Sequence, residues 1–209
     1  MLLISEMNDF SEVECKLDEL VANEDYQNTI FTNLKQGDII PKSGGLAYLI
    51  DDVTLPNKLE NHIPGTVPYK QICNKFSGGK QEILEMFDKH GSKQNDITIM
   101  PYSKAFEENI EECVGRAILT QLCAQTNRKS YYINGLICIP EEGIEPLTDH
   151  GFNIIIKDEI PHLVDTTNPI LNKEKNSLKP CIIPILDIKE CGEIILDSKP
   201  KDNRKYFLF

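Results

Sequence analysis

The sequence predicts a single α+β domain, a helix packed on an antiparallel sheet, and three observations lead there. Between residues 106 and 125, apolar Ile110, Val114, Ala117, Ile118 and Leu122 recur at three- and four-residue steps, the period of one helical face. Strand-like runs follow at 130–139, 151–156, 160–164, 181–188 and 193–196. Connections of hairpin length cannot carry the crossover that a parallel pair requires, so the sheet reads as antiparallel.

Earlier segments are read in the same way. Phe10, Val13, Leu17 and Leu20 mark a helix over 9–22. Residues 32–68 are rich in Gly, Pro, Asn and Asp, with short strands expected at 38–40 and 46–50. A helix over 81–89 is stopped by His90 and Gly91. Phe76-Ser77-Gly78-Gly79-Lys80 lacks the GxxxxGK[ST] spacing of a phosphate loop, and a turn before a helix is the better reading. Residues 172–179 form a polar connector. The chain thus divides into an accessory, substrate-shaping region, 1–100, and a catalytic core, 101–209.

With 209 residues the chain buries one substantial domain, and 12 Pro with 12 Gly call for many loops. A net charge of −11 argues against nucleic acid, whose phosphates are bound by Lys and Arg, and leaves a basic substrate open. The opening MLLISEMNDF has a short apolar run and an early Glu6, which does not fit a secretory signal. No run approaches the roughly 18 apolar residues of a membrane helix. Seven cysteines (15, 73, 113, 123, 138, 181, 191) show neither CxxC nor metal-ligand spacing. They point to a reducing, cytoplasmic setting with no metal and no cofactor.

The chemistry gathers on Cys113, His150 and Asp165. HGFNIIIKDEIPHLVDTTNP reads as a β-hairpin, and a turn centred between Lys157 and Asp158 places His150 directly across from Asp165. Opposed residues hold their Cβ atoms about 5 Å apart, near enough for a carboxylate to orient an imidazole. Alternation adds Phe152, Ile154, Ile156 and Leu163 to that face, which is therefore buried. The alternative puts both residues in surface turns, at 148–151 and 165–169. Cys113 falls near the start of the 106–125 helix if that helix begins nearer Asn109 than Phe106, where unpaired N–H groups favour a thiolate, although Glu111 and Glu112 partly oppose it. A helix cysteine is more often packing, and the other six share that reading. His162 alternates to the opposite face from Asp165, and His62 and His90 have no partner suggested by the sequence.

ECVGRAILTQLCAQTNRKSYYINGLI around Cys113, with the hairpin stretch around His150 and Asp165, resembles the transglutaminase-like superfamily of papain-fold thiol enzymes over residues 106–170. The resemblance implies a papain-like core in which a nucleophile helix packs on an antiparallel sheet. It implies Cys113 as nucleophile, His150 as general base and acid, and Asp165 as orienting carboxylate. The implied reaction is acyl transfer from an amide of a protein or peptide substrate, or of a glutamine side chain, through a thioester. Hydrolysis, deamidation and transamidation all fit. Glu112 stands where the family often has Gly, Thr166 replaces a hydrophobic or Pro position, and no Trp supplies an oxyanion donor. A catalytically silent protein-binding module is the alternative. Arylamine N-acetyltransferases share the triad order, but their RGG-type lead into the Cys is absent.

Overall fold

A computed structural model describes residues 10–60, 62–63, 66–140, 147–172, 177–200 and 203–209. The expectation about a leader over residues 1–9, and the centre of the connector at 172–179, lie outside the described residues. In chain order the elements begin with α1 (Phe10–Ala22), β1 (Ile30–Phe31), β2 (Ile39–Lys42) and β3 (Leu46–Leu49). They continue with α2 (Tyr69–Lys75), α3 (Lys80–His90), β4 (Ser92–Gln94), β5 (Ile97–Pro101), α4 (Tyr102–Glu108) and α5 (Cys113–Ala124). Strands complete the chain: β6 (Ser130–Cys138), β7 (Leu147–Lys157), β8 (Ile160–Asn172), β9 (Ser177–Ile188), β10 (Glu193–Leu196) and β11 (Lys205–Phe207).

The expected papain-like core, a helix on an open antiparallel sheet, is not what these strands build. From β6 to β11 each strand pairs antiparallel with the next, and β11 returns to β6, closing a six-stranded barrel. β1 and β11 share one edge of β6, taking Tyr132 and Ile133 in one case and Leu136 to Cys138 in the other. Each of the six strands thus has a paired neighbour on both sides. The closing strand has only three residues, Lys205–Phe207, too few for alternation to announce it.

The remaining strands form a separate sheet in the order β2-β3-β5-β4, in which β3 and β5 run parallel. A parallel pair needs a long crossover, and α2 and α3 occupy it. Alternate residues of the barrel strands, among them Tyr131, Ile133, Phe152, Ile154, Leu163, Ile183, Ile185 and Tyr206, share one buried cluster, which is the barrel interior. Val13 and Leu17 of α1 add to it. A second core packs Tyr48, Phe87, Met100 and Tyr102 of the small sheet and its helices against Val114, Ile118 and Leu122 of α5. Outward-facing Tyr132 of β6 joins this second core, so α5 lies between it and the barrel wall.

The single helix expected over 106–125 is two helices. Asn109 ends α4 in the left-handed region, at φ +59°, a conformation Asn tolerates better than most residues. Ile110 then bridges to Ser77, and the new helix begins at Cys113. The break gives the thiol the first position of α5, which one continuous helix would have denied it.

Candidate active site

His150 and Asp165 lie within strands, not in the surface turns that were the alternative. Asp158 and Glu159 form the two-residue turn, both at positive φ, as a type I′ hairpin requires. The ladder therefore pairs Lys157 with Ile160 and Asn153 with Val164, two residues off the expected register. Extended, it sets Asp165 diagonal to His150. A slip of two keeps both side chains on the same face. His150 Nε2 donates to Asp165 Oδ2 at 2.9 Å, with the residues 5% and 0% exposed.

Asp165 is held from several sides. The Tyr206 hydroxyl donates to Oδ2 at 2.8 Å, the Thr167 backbone N–H donates to Oδ1 at 2.9 Å, and Arg204 Nη1 stands 3.6 Å from Oδ2. Burial pushes this carboxyl up, but His150, Tyr206 and Thr167 together hold it well below the usual carboxylate range. Tyr206 comes from the closing strand β11, and nothing in its three-residue setting marks it in the sequence.

The ladder between β7 and β8 ends at Asn153–Val164. Beyond it the first turn of α5 rests on Gly151, where a Cβ would meet Val114 Cα at 3.0 Å and the Cys113 carbonyl oxygen at 3.2 Å. A glycine allows that approach without displacing the helix backbone. Further along, Asn153 Nδ2 donates to the Ala117 carbonyl at 3.1 Å, and Gln121 Nε2 donates to the Ser130 carbonyl of β6 at 3.2 Å. These buried polar links fix α5 to the barrel wall.

So placed, Cys113 stands near enough to His150 for each to favour the charged form of the other, and His150 Nε2 is engaged by Asp165. Burial opposes the thiolate, yet the His150 hydrogen bond and charge, the Gly151 N–H and the Lys42 ammonium outweigh it and bring the thiol below its ordinary value. Burial likewise disfavours an imidazolium, but Asp165 and Cys113 raise His150 to about 10. Both directions favour a thiolate–imidazolium pair. Burial drives Cys73 to about 11 and Cys123 to about 12, and each stays an inert thiol.

Cys113 is half-buried and opens onto a cleft of about 460 Å³ lined by Arg116, Ile137, Ile139, Thr148, Asp149 and His150, with Glu112 and Gly78 at its margin. A larger groove of about 840 Å³ between α1 and the β9–β10 turn contains none of Cys113, His150 and Asp165. The N-cap Glu112 provides no side-chain cap, which leaves the first N–H groups of α5 available beside the sulfur. Glu111, expected to oppose the thiolate, is buried and ion-paired with Lys42 at 2.9 Å. Lys42 lies 71 residues before Cys113 (113 − 42), in the stretch with the weakest pattern.

His162 lies on the other face of β8, its Nδ1 2.8 Å from the Ile160 carbonyl oxygen. His90 pairs with Glu108 at 2.6 Å and not with a residue of the triad. Among the described residues, no group of three or more His, Cys, Asp or Glu side chains is arranged to hold a metal ion. None of the described helices is long and apolar enough to cross a membrane. Compared with known proteins, the chain matches no family model, no curated protein and no solved structure at a significant level.

Proposed function

We propose that this protein is a cysteine-dependent acyltransferase acting on an amide of a protein or peptide, with water as the usual acceptor. The observation that carries the reading is the chain Cys113–His150–Asp165 at the mouth of a cleft, with the thiol on the first turn of a helix. The residue order resembles that of transglutaminase-like enzymes, but the barrel differs from theirs, so the proposal rests on the site and not on the fold.

In the proposed reaction the Cys113 thiolate attacks the amide carbon, and the carbonyl oxygen takes the negative charge beside the uncapped N–H groups of α5. His150 gives its proton to the nitrogen as the C–N bond breaks, releasing an amine and leaving a thioester. Water then enters, His150 accepts its proton, and the hydroxyl adds to the thioester. Collapse releases a carboxylic acid and restores the thiol. Attack by a primary amine instead of water would give a new amide. A reducing compartment such as the cytoplasm suits a nucleophile that must stay unoxidised.

A panel of peptides, some bearing glutamine, incubated with and without a primary amine and read by mass spectrometry, tests the reading. Hydrolysis or deamidation should appear and should vanish in Cys113→Ala. Labelling by a small alkylating reagent near neutral pH should single out Cys113. No turnover together with indiscriminate labelling would overturn the enzyme reading in favour of a protein-binding module.

A further inference from the structure

Lys42 is the last residue of β2, and its ammonium reaches the segment just ahead of α5. Its Nζ donates to Glu111 Oε1 at 2.9 Å, with the two side chains 11% and 0% exposed. The same Oε1 accepts the Glu112 backbone N–H at 2.8 Å. A buried ion pair is thereby tied to the two residues immediately before the nucleophile. Asn134 Nδ2 donates to the Pro41 carbonyl at 3.3 Å, which anchors the end of β2 to the barrel strand opposite Gly151.

A pair like this is a poor investment for stability alone, because desolvating two charges commonly costs as much as their attraction returns. Burial works against the Lys42 ammonium, yet Glu111, Cys113 and Glu112 keep it charged, with its value raised. An ammonium has three protons to donate, more than Glu111 Oε1 alone requires. The Tyr132 hydroxyl, buried and without a hydrogen-bond partner, stands in the field of both Cys113 and Glu111. Around the sulfur the charged groups are therefore His150 on β7 with Asp165 on β8 behind it, Lys42 on β2, and Glu111 and Glu112 before the helix. Arg116 and Asp149 stand in the cleft wall.

We infer that Lys42 is a positioning residue of this site: a fixed, buried cation that favours negative charge on the Cys113 sulfur and, through Glu111, sets where α5 begins. The inference rests on the thiol-enzyme reading. It supplies the second positive group that the His150–Asp165 pair alone does not provide, since Asp165 offsets part of the imidazolium charge.

The test is the pH dependence of Cys113 alkylation by iodoacetamide in the full chain. Lys42→Met should raise the midpoint by about one unit, roughly a tenfold loss of thiolate below it, and Lys42→Arg should restore most of the shift. Since a lone Glu111 could prevent Lys42→Met from folding, the double variant Lys42→Met/Glu111→Gln is measured beside it. Gln can still accept the Glu112 N–H, so the helix start keeps its tether. The double variant should fold, by circular dichroism, with its midpoint about one unit above that of Glu111→Gln alone, a comparison that isolates the Lys42 charge. A folded double variant with the same midpoint as Glu111→Gln would overturn the role of Lys42. If His150→Asn raises the midpoint while the Lys42 variants do not, only this inference fails. If none of them moves it, the thiol-enzyme reading fails too.

Discussion

Gly135 lies directly across from His150 in the β6–β7 ladder, and it is the residue that lets the barrel close there. A Cβ at this position would come within 2.2 Å of the Phe207 carbonyl oxygen and 3.1 Å of the Phe152 ring. The carbonyl belongs to the closing strand and has no flexible end to yield. Gly135→Ala should therefore destabilise the protein by about 3 kcal/mol, the upper part of the range for overpacking. Chemical denaturation measures this, and a loss below about 1 kcal/mol would show that β11 moves aside easily.

His150 and His162 should separate cleanly in thiol reactivity. His150→Asn removes the hydrogen bond and the charge that depress Cys113, so the pH midpoint of alkylation should rise. His162→Asn removes a ring bonded to the Ile160 carbonyl on the other face and should leave the midpoint in place. Equal shifts from the two substitutions would mean that the ring beside the sulfur has been misidentified.

Stability should depend on pH in a direction set by His150. Its folded value is raised from 6.5 to about 10, so its contribution is complete below 6.5 and is lost as pH rises toward 10. Cys113, lowered in the fold, acts in the opposite sense over part of that window. Cys113→Ala isolates the histidine: Asp165 alone still raises it, so the unfolding free energy should fall above pH 6.5, over a window that ends below 10, and adding His150→Asn should flatten the slope. An unchanged slope in the double variant would assign the dependence to other groups. On the acid side Asp165, depressed in the fold, contributes above 3.8, and that contribution is lost as pH falls through its lower folded value.

Tyr206→Phe deletes the hydroxyl that donates to buried Asp165 at 2.8 Å. Hydrogen bonds to charged groups contribute about 2 kcal/mol, and the carboxylate this one serves is fully buried. Urea unfolding should register a loss of about that size. A loss within error would mean that Arg204 and Thr167 suffice to hold the carboxylate.

Much of this molecule was legible where burial imposes a period. The helix expected over 9–22 is α1, Phe10–Ala22, and that over 81–89 is α3, Lys80–His90. The strand expected at 193–196 is β10. Short elements left no period to read: α2 spans seven residues, and all three of β4 are exposed. Register was misjudged by two because Asp158 and Glu159, not the usual Asn-Gly, adopt the left-handed turn. Parity survived, which is why the facing of His150 and Asp165 could be read at all. Barrel closure was out of reach, since β11 pairs with a strand more than sixty residues upstream, Lys205 with Cys138. Lys42 and Tyr206 were hidden for the same reason: each reaches the site only through the tertiary fold.

Cys113 rides on a helix packed into one core, while His150 and Asp165 belong to the interior of the barrel. The Cys113–His150 pair therefore spans a seam between two packed bodies, joined near it by the bare backbone of Gly151. A hydrogen bond tolerates little stretching, so a slight parting at the seam would silence the sulfur while every strand and helix stayed intact. The thiol thus serves as a gauge of how tightly the two halves are pressed together. On warming, its alkylation rate relative to that of a free thiol at the same temperature should drop before any change in backbone circular dichroism, marking the first place where the molecule loosens.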